Sequence, residues 1–145
     1  MLQQTLLRLY RQLRLISYRH IFGAIRERSG SLSATEAFSA DVIQLLGTPT
    51  LSQFAQCLGI SQPNATYKIN NLVAKGYVEK VPSPGDRREI RLQPAGKLQM
   101  YLTSGEARFD HAVEALKGTY TEEELALTAR VLTSLLDETE KEEKL

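Results

Sequence analysis

Cysteine occurs once in 145 residues, histidine twice, and no apolar run approaches the ~20 residues needed to cross a bilayer. The lone Cys57 excludes an internal disulfide framework and any cysteine-rich zinc site. Set among Leu51, Phe54, Ala55 and Leu58, it reads as a buried structural thiol rather than a redox sensor. His20 and His111 share no metal-ligand spacing, and no glycine loop resembles a phosphate cradle. No metal site, no cofactor and no catalytic set is therefore expected, and the chain reads as something other than an enzyme. His20 lies on an apolar helical stripe, where a core role outranks a ligand role. The acidic run Glu122 to Glu124 sits at a helix start, where the macrodipole alone accounts for it. The leucine-rich N-terminus is broken by Arg8, Arg11, Arg14 and Arg19, unlike a secretory apolar segment, so a cytoplasmic protein without membrane association is expected.

What the sequence does contain is a segregated charge. The formal net charge is only +1. Residues 1–30 carry six arginines against Glu27, a balance of +5, and residues 61–97 carry seven bases against three acids, a balance of +4. From residue 119 onward eight acids face three bases, a balance of −5. A basic middle followed by an acidic tail suits local contact with a polyanion.

The basic middle has an ordered sequence of signals. Thr50-Leu-Ser-Gln53 has the form of a capping box and opens a short helix whose Leu51, Phe54, Ala55 and Leu58 face inward. Gly59 supplies a positive-φ stop. Ser61 then caps a second helix, with Pro63 in its first turn and an inward stripe of Ala65, Ile69, Leu72 and Val73. Its remaining positions, Gln62, Asn64, Thr66, Tyr67, Lys68, Asn70 and Asn71, are polar, nearly uncharged and rich in amides. Amides donate and accept together, as base edges in a major groove require, whereas an ordinary solvated face carries more Glu, Lys and Arg. Two helices about a glycine turn predict a helix-turn-helix with the second helix, Gln62 to Lys75, free to read a groove. Gly76 ends that helix. Tyr77 to Val81 and Glu89 to Leu92 read as strands about the turn-forming Pro82-Ser-Pro-Gly-Asp86. The hairpin tip therefore carries Asp86, Arg87 and Arg88, and an exposed arginine pair there can grip phosphate or enter a minor groove.

Apolar stripes at helical spacing flank this region. Leu6, Leu9, Leu13, Ile16 and His20 mark a helix from Leu2 to about Arg28, ended near Ser29-Gly30. Ser33-Ala-Thr-Glu36 is a second capping box, and Thr121-Glu-Glu-Glu124 a third. Pro94 is expected to start a long helix through Leu98, Tyr101, Leu102, Phe109, Val113 and Leu116, and Leu125, Thr128, Leu132, Leu135 and Leu136 stripe the last one. The expected fold class is mainly α with a small β hairpin (α+β). Residues 1–32 form an N-terminal dimerisation helix, 33–97 a winged helix-turn-helix and 98–145 the C-terminal dimerisation helices. A homodimer is favoured because a two-fold axis sets two reading helices ~34 Å apart, one turn of DNA.

Nearly the whole chain resembles the MarR family of winged-helix transcription regulators. The resemblance is carried by Leu51-Ser-Gln-Phe-Ala-Gln-Cys-Leu-Gly-Ile60, Asn71-Leu-Val-Ala-Lys-Gly-Tyr-Val-Glu-Lys80, the wing Pro84-Gly-Asp-Arg-Arg88 and Arg91-Leu-Gln-Pro-Ala-Gly-Lys97. It implies an obligate homodimer with elements in the order α-α-α-α-β-β-α-α, paired through its first and last two helices. It also implies binding of double-stranded DNA at a near-palindromic promoter site, usually in repression, with release on binding a small-molecule effector or on oxidation. Carried over, the recognition positions are Gln62, Asn64, Thr66, Tyr67, Lys68, Asn70 and Asn71, with Arg88 in the minor groove and Asp86 orienting it. Tyr67 and Asn71 stand where many relatives have arginine, and Gln93 where they have threonine. An effector cleft would be lined from Tyr10, Tyr18, Phe22 and Phe38, residues equally suited to the core, which is the preferred reading of each. The alternative function is a winged-helix protein-interaction module without DNA binding, for which the lack of arginine in the reading helix is the main support.

Overall fold

The computed structural model describes residues 1–25 and 31–143, with backbone alone at 24, 100–107 and 143. The expected end of the first helix, Arg28 to Gly30, and the stripe side chains of Tyr101 and Leu102 lie outside what is described. Among the described residues, six helices and one hairpin follow in the order α1 (Leu2–Ala24), α2 (Ala34–Leu45), α3 (Leu51–Leu58), α4 (Gln62–Ala74), β1 (Val78–Pro82), β2 (Ile90–Pro94), α5 (Gly96–Lys117) and α6 (Glu122–Glu143). This is the mainly helical winged helix-turn-helix expected.

The chain divides into two compact units, Met1–Gly105 and Glu106–Leu145. In the first, one apolar core gathers Ile21 of α1, Ala37, Ala40 and Ile43 of α2, Phe54 and Ala55 of α3, and Ala65, Ile69 and Leu72 of α4. Tyr77, Val78, Leu92 and Leu98 close it from the hairpin and the start of α5. The helical members are the inward positions of their 3.6-residue stripes, Val78 and Leu92 are inward positions of their strands, and Tyr77 is buried just before β1.

Local caps fix where the helices start. Ser33 and Thr50 each form a full capping box, with Glu36 and Gln53 returning the bond to the cap N–H. Ser61 Oγ accepts from the Asn64 N–H. In the second unit, Thr121 Oγ1 accepts from the Glu124 N–H while Glu124 Oε2 accepts from the Thr121 N–H. At the other ends, Gly59 (φ 63°) and Gly76 (φ 76°) adopt the left-handed backbone. The residue after each donates back across the last turn, Ile60 to the Ala55 carbonyl and Tyr77 to that of Leu72, which closes a Schellman stop.

The hairpin pairs antiparallel from Val78↔Pro94 to Pro82↔Ile90. A single bridge between Thr50 and Arg91, with the Leu92 N–H donating to the Pro49 carbonyl at 2.8 Å, sews the start of α3 to β2. Two expectations need correction. Pro94 ends β2 instead of starting α5, because its place opposite Val78 at the strand terminus tolerates a missing N–H as well as a helix start would. Cys57 is exposed. At 100° per residue it points about 110° away from the centre of the stripe made by Leu51, Phe54, Ala55 and Leu58, so the helix turns it out of the core.

Candidate nucleic-acid interface

The geometry of α3 and α4 follows from the turn between them. Gly59 stops α3, Ser61 caps α4 two residues later, and the shared core residues Phe54, Ala55, Ala65 and Ile69 hold the two helices together. Burying Ala65, Ile69 and Leu72 leaves the opposite face of α4 to solvent. Gln62, Asn64, Tyr67 and Asn70 are exposed there, and Thr66, Lys68 and Asn71 flank them half-buried. Thr66 differs from its neighbours in having its hydroxyl proton committed, since Oγ1 donates to the Gln62 carbonyl at 2.9 Å. Tyr67, Lys68 and Asn71 form one wall of a cleft of about 350 Å³ whose other wall is Ser33, Thr35 and Ser39 of the α2 start.

The wing tip is wholly exposed from Pro84 to Ile90. Asp86 Oδ1 accepts from the Arg88 backbone N–H at 2.8 Å, and the Glu89 N–H donates to the Asp86 carbonyl at 3.1 Å. The aspartate thus shapes the turn that presents Arg87 and Arg88 by binding backbone, and no ion pair joins it to either guanidinium among the described residues.

Sequence reasoning missed the residues that hold these two surfaces in place. At the root of the wing, Arg91 donates from Nε to Ser83 Oγ (3.0 Å) and from a terminal nitrogen to the Thr48 carbonyl (3.1 Å). Lys80 stands two residues after the buried Val78, hence on the α4 side of the ribbon, and its ammonium donates to Asn70 Oδ1 at 2.7 Å. Gln62 Nε2 donates to Ser52 Oγ of α3 at 2.6 Å. Both partners lie ten residues away, beyond the reach of any local pattern.

The C-terminal end of α4 is anchored separately. Lys75 Nζ donates to Glu36 Oε2 (2.6 Å) and to the Ser31 carbonyl (3.0 Å). Lys97 in turn donates to the Lys75 carbonyl at 3.3 Å and lies 4.2 Å from the centre of the Tyr77 ring. Burial pushes the Glu36 carboxyl up, but the Lys75 ammonium and the Ser33 N–H and hydroxyl outweigh it and hold the group below the ordinary carboxylate range. Asp41 shows the reverse: burial alone raises it, and no hydrogen bond or ion pair reaches it among the described residues.

The four aromatic residues considered for an effector cleft are not core residues as a group. Tyr10, Phe22 and Phe38 are exposed, and only Tyr18 is half-buried, with its ring edge-on to Phe38 at 6.4 Å. The core expectation fails for Tyr10 and Phe22 because Ile21 is the α1 residue that joins the buried cluster among the described residues, and for Phe38 because it points about 160° away from the buried Ala37, Ala40 and Ile43 of α2. Arg14 lies 5.4 Å from the centres of both the Tyr10 and Tyr18 rings and donates to the Tyr18 hydroxyl at 2.6 Å. Among the described residues no group of His, Cys, Asp and Glu could hold a metal ion, and no helix is long and apolar enough to cross a membrane.

Residues 41–89, from the middle of α2 to the wing, match the MarR family model. A curated relative, an uncharacterized HTH-type transcriptional regulator named YcgE from Bacillus subtilis (strain 168), is 26% identical over 126 residues, 87% of this chain and 80% of that one. Among solved structures, FabT from Streptococcus pneumoniae in complex with DNA is similar at a TM-score of 0.58 and 26% identity, over 97% of this chain and 99% of that one. A mutant MarR from E. coli, complexed with operator DNA, shares the fold at a TM-score of 0.50 and 19% identity, over 91% of this chain and 94% of that one.

Proposed function

We propose, from the match of residues 41–89 to the MarR family model, that this chain is a MarR-family transcriptional regulator and binds double-stranded DNA as a homodimer. It does so at a near-palindromic promoter site, as a repressor released by a small-molecule effector. The observation that carries the reading is the pairing of an exposed, amide-rich, capped helix with an exposed arginine-tipped wing, both rooted in one core. FabT and MarR, each seen in complex with DNA, support it.

In this reading Gln62, Asn64, Tyr67, Lys68, Asn70 and Asn71 face the major groove, with Thr66 supplying acceptor lone pairs only. Arg87 and Arg88 take the adjacent minor groove or its phosphates, and Asp86 sets the turn that aims them. Dimerisation falls to residues 1–32 and 98–145, whose apolar side chains Leu9, Leu13, Phe109, Val113, Val131 and Leu135 are exposed in the single protomer. Effector response is assigned to the aromatic set Tyr10, Tyr18, Phe22 and Phe38, which a second protomer would enclose. Nuclease protection on DNA upstream of the coding region, with the mass of the complex measured alongside, tests this. Two protected stretches about 10 base pairs apart, with two chains per site, are expected; a single chain per site, or no protection, would refute it.

A second reading, a winged-helix module that binds protein, has one observation in its favour: α4 carries no arginine. Its prediction differs, since Arg88→Ala would then leave partner binding unchanged and there would be no DNA binding for it to weaken.

A further inference from the structure

We infer that Ser52 and Lys80 are positioning residues for the amides Gln62 and Asn70, Ser52 fixing where the Gln62 amide sits and Lys80 setting the hydrogen-bonding polarity of Asn70, and so which base edges each can read. The inference rests on the DNA-binding reading above and adds a rule for specificity to it. A free Gln or Asn side chain rotates, and turning its amide over exchanges donor and acceptor. It then discriminates poorly between bases that present opposite patterns.

Two contacts restrict that freedom, one in position and one in polarity. Gln62 Nε2 donates to Ser52 Oγ at 2.6 Å, which fixes where the amide sits; because a hydroxyl can also donate, the amide keeps one acceptor and one donor for the base it meets. One acceptor beside one donor is the pattern complementary to adenine, whose N6 donates and whose N7 accepts. Asn70 receives a proton from the Lys80 ammonium on Oδ1 at 2.7 Å, which leaves its two Nδ2 protons outward. The adjacent positive charge also disfavours any base donor that would approach Oδ1 from the other side. Asn70 is thereby made a donor-only reader, suited to the paired acceptors O6 and N7 of guanine.

The placement of both partners is a property of the fold. Ser52 is in the first turn of α3, whose end is tied to α4 through the Gly59 turn, so it lies against the start of the reading helix. Lys80 stands on the β1 face shared with Val78, across the ribbon from Leu92, and reaches the last part of the same helix. Gln62 and Asn70 are eight positions apart, or about 12 Å along α4 at 1.5 Å per residue, so each meets a different base pair. The two ends of the helix would then read different patterns in each half-site.

The test is selection of bound duplexes from a randomised double-stranded DNA pool, read as the base preference at each position, by the wild type and by Ser52→Ala, Ser52→Thr, Gln62→Ala and Lys80→Met. Ser52→Ala should lower the preference for adenine at one base pair per half-site from roughly tenfold to under threefold. That base pair should be the one whose preference Gln62→Ala abolishes, and Ser52→Thr, which keeps the hydroxyl, should restore it. Lys80→Met should relax a second position toward adenine while leaving the slope of log affinity against log salt unchanged. The inference is overturned if Ser52→Ala leaves every preference intact or affects a base pair other than that of Gln62. It is equally overturned if Lys80→Met flattens the salt slope by about 1, the mark of a direct phosphate contact. A wild type that enriches no duplex removes the DNA-binding reading itself, and this inference with it.

Discussion

Replacing Lys75 by methionine tests how α4 is held at its C-terminal end. The ammonium it removes bridges three points: the Lys75 side of α4, the Glu36 carboxylate at 2.6 Å and the Ser31 carbonyl at 3.0 Å. The Glu36 side chain is only 14% exposed and that of Lys75 33% exposed, so the pair sits between a surface ion pair and a buried one. Exposed pairs contribute about 0–1 kcal/mol, whereas hydrogen bonds to charged groups contribute about 1.5–3 kcal/mol. An intermediate loss of about 1–2 kcal/mol follows, because Glu36 keeps the Ser33 N–H at 2.7 Å but loses its counter-charge. For a chain of this length that is a fall in Tm of roughly 3–6 °C. The pH dependence has a defined sign. The folded Glu36 carboxyl titrates below its unfolded value, so its contribution is complete above the ordinary glutamate range, about 4.3, and is lost as pH falls through the lower folded value. The gap between wild type and Lys75→Met, measured by calorimetry, should therefore be full at pH 7 and shrink steadily below about pH 4. A gap that is absent at neutral pH, or that persists undiminished in acid, would refute the role given to this pair.

Two further substitutions probe the same framework. Asp41→Asn should raise Tm by about a degree or two at pH 7, because the folded protein pays to keep charged a half-buried carboxylate that has no partner among the described residues; the gain should vanish once acid protonates the wild-type group, and thermal scans at the two pH values read both parts. Gly59→Ala should lower stability by about 1–2 kcal/mol in urea titrations through backbone strain alone, since φ is +63° and nothing lies within 4 Å of the added methyl; Gly59→Asn should lose clearly less.

The parts of the fold governed by short-range rules were legible in the sequence. The boxes at Ser33, Thr50 and Thr121 name helix starts because cap and partner lie three residues apart, and the Gly59 and Gly76 stops follow from the conformation only glycine takes cheaply. The exposed face of α4 is likewise the complement of its apolar stripe. What escaped depends on long-range placement. Pro94 signals a helix start and a strand end equally well, and only its register opposite Val78 decides between them. Cys57 kept apolar company in sequence but sits on the wrong side of a helical turn. Tyr10, Phe22 and Phe38 fall on helix faces turned away from the buried core cluster, which composition cannot reveal. The bonds from Ser52 to Gln62 and from Lys80 to Asn70 join separate elements, so no spacing rule announces them.

The most direct measurement is the affinity of the protein for its protected DNA across a range of salt concentrations, for the wild type and for the double variant Arg87→Gln, Arg88→Gln. If the helix face and the wing tip form one surface on each protomer of a dimer, the variant removes four cationic contacts, and the slope of log affinity against log salt should become shallower by about 3.6. Equal slopes for the two proteins would place the wing away from the duplex and contradict the account.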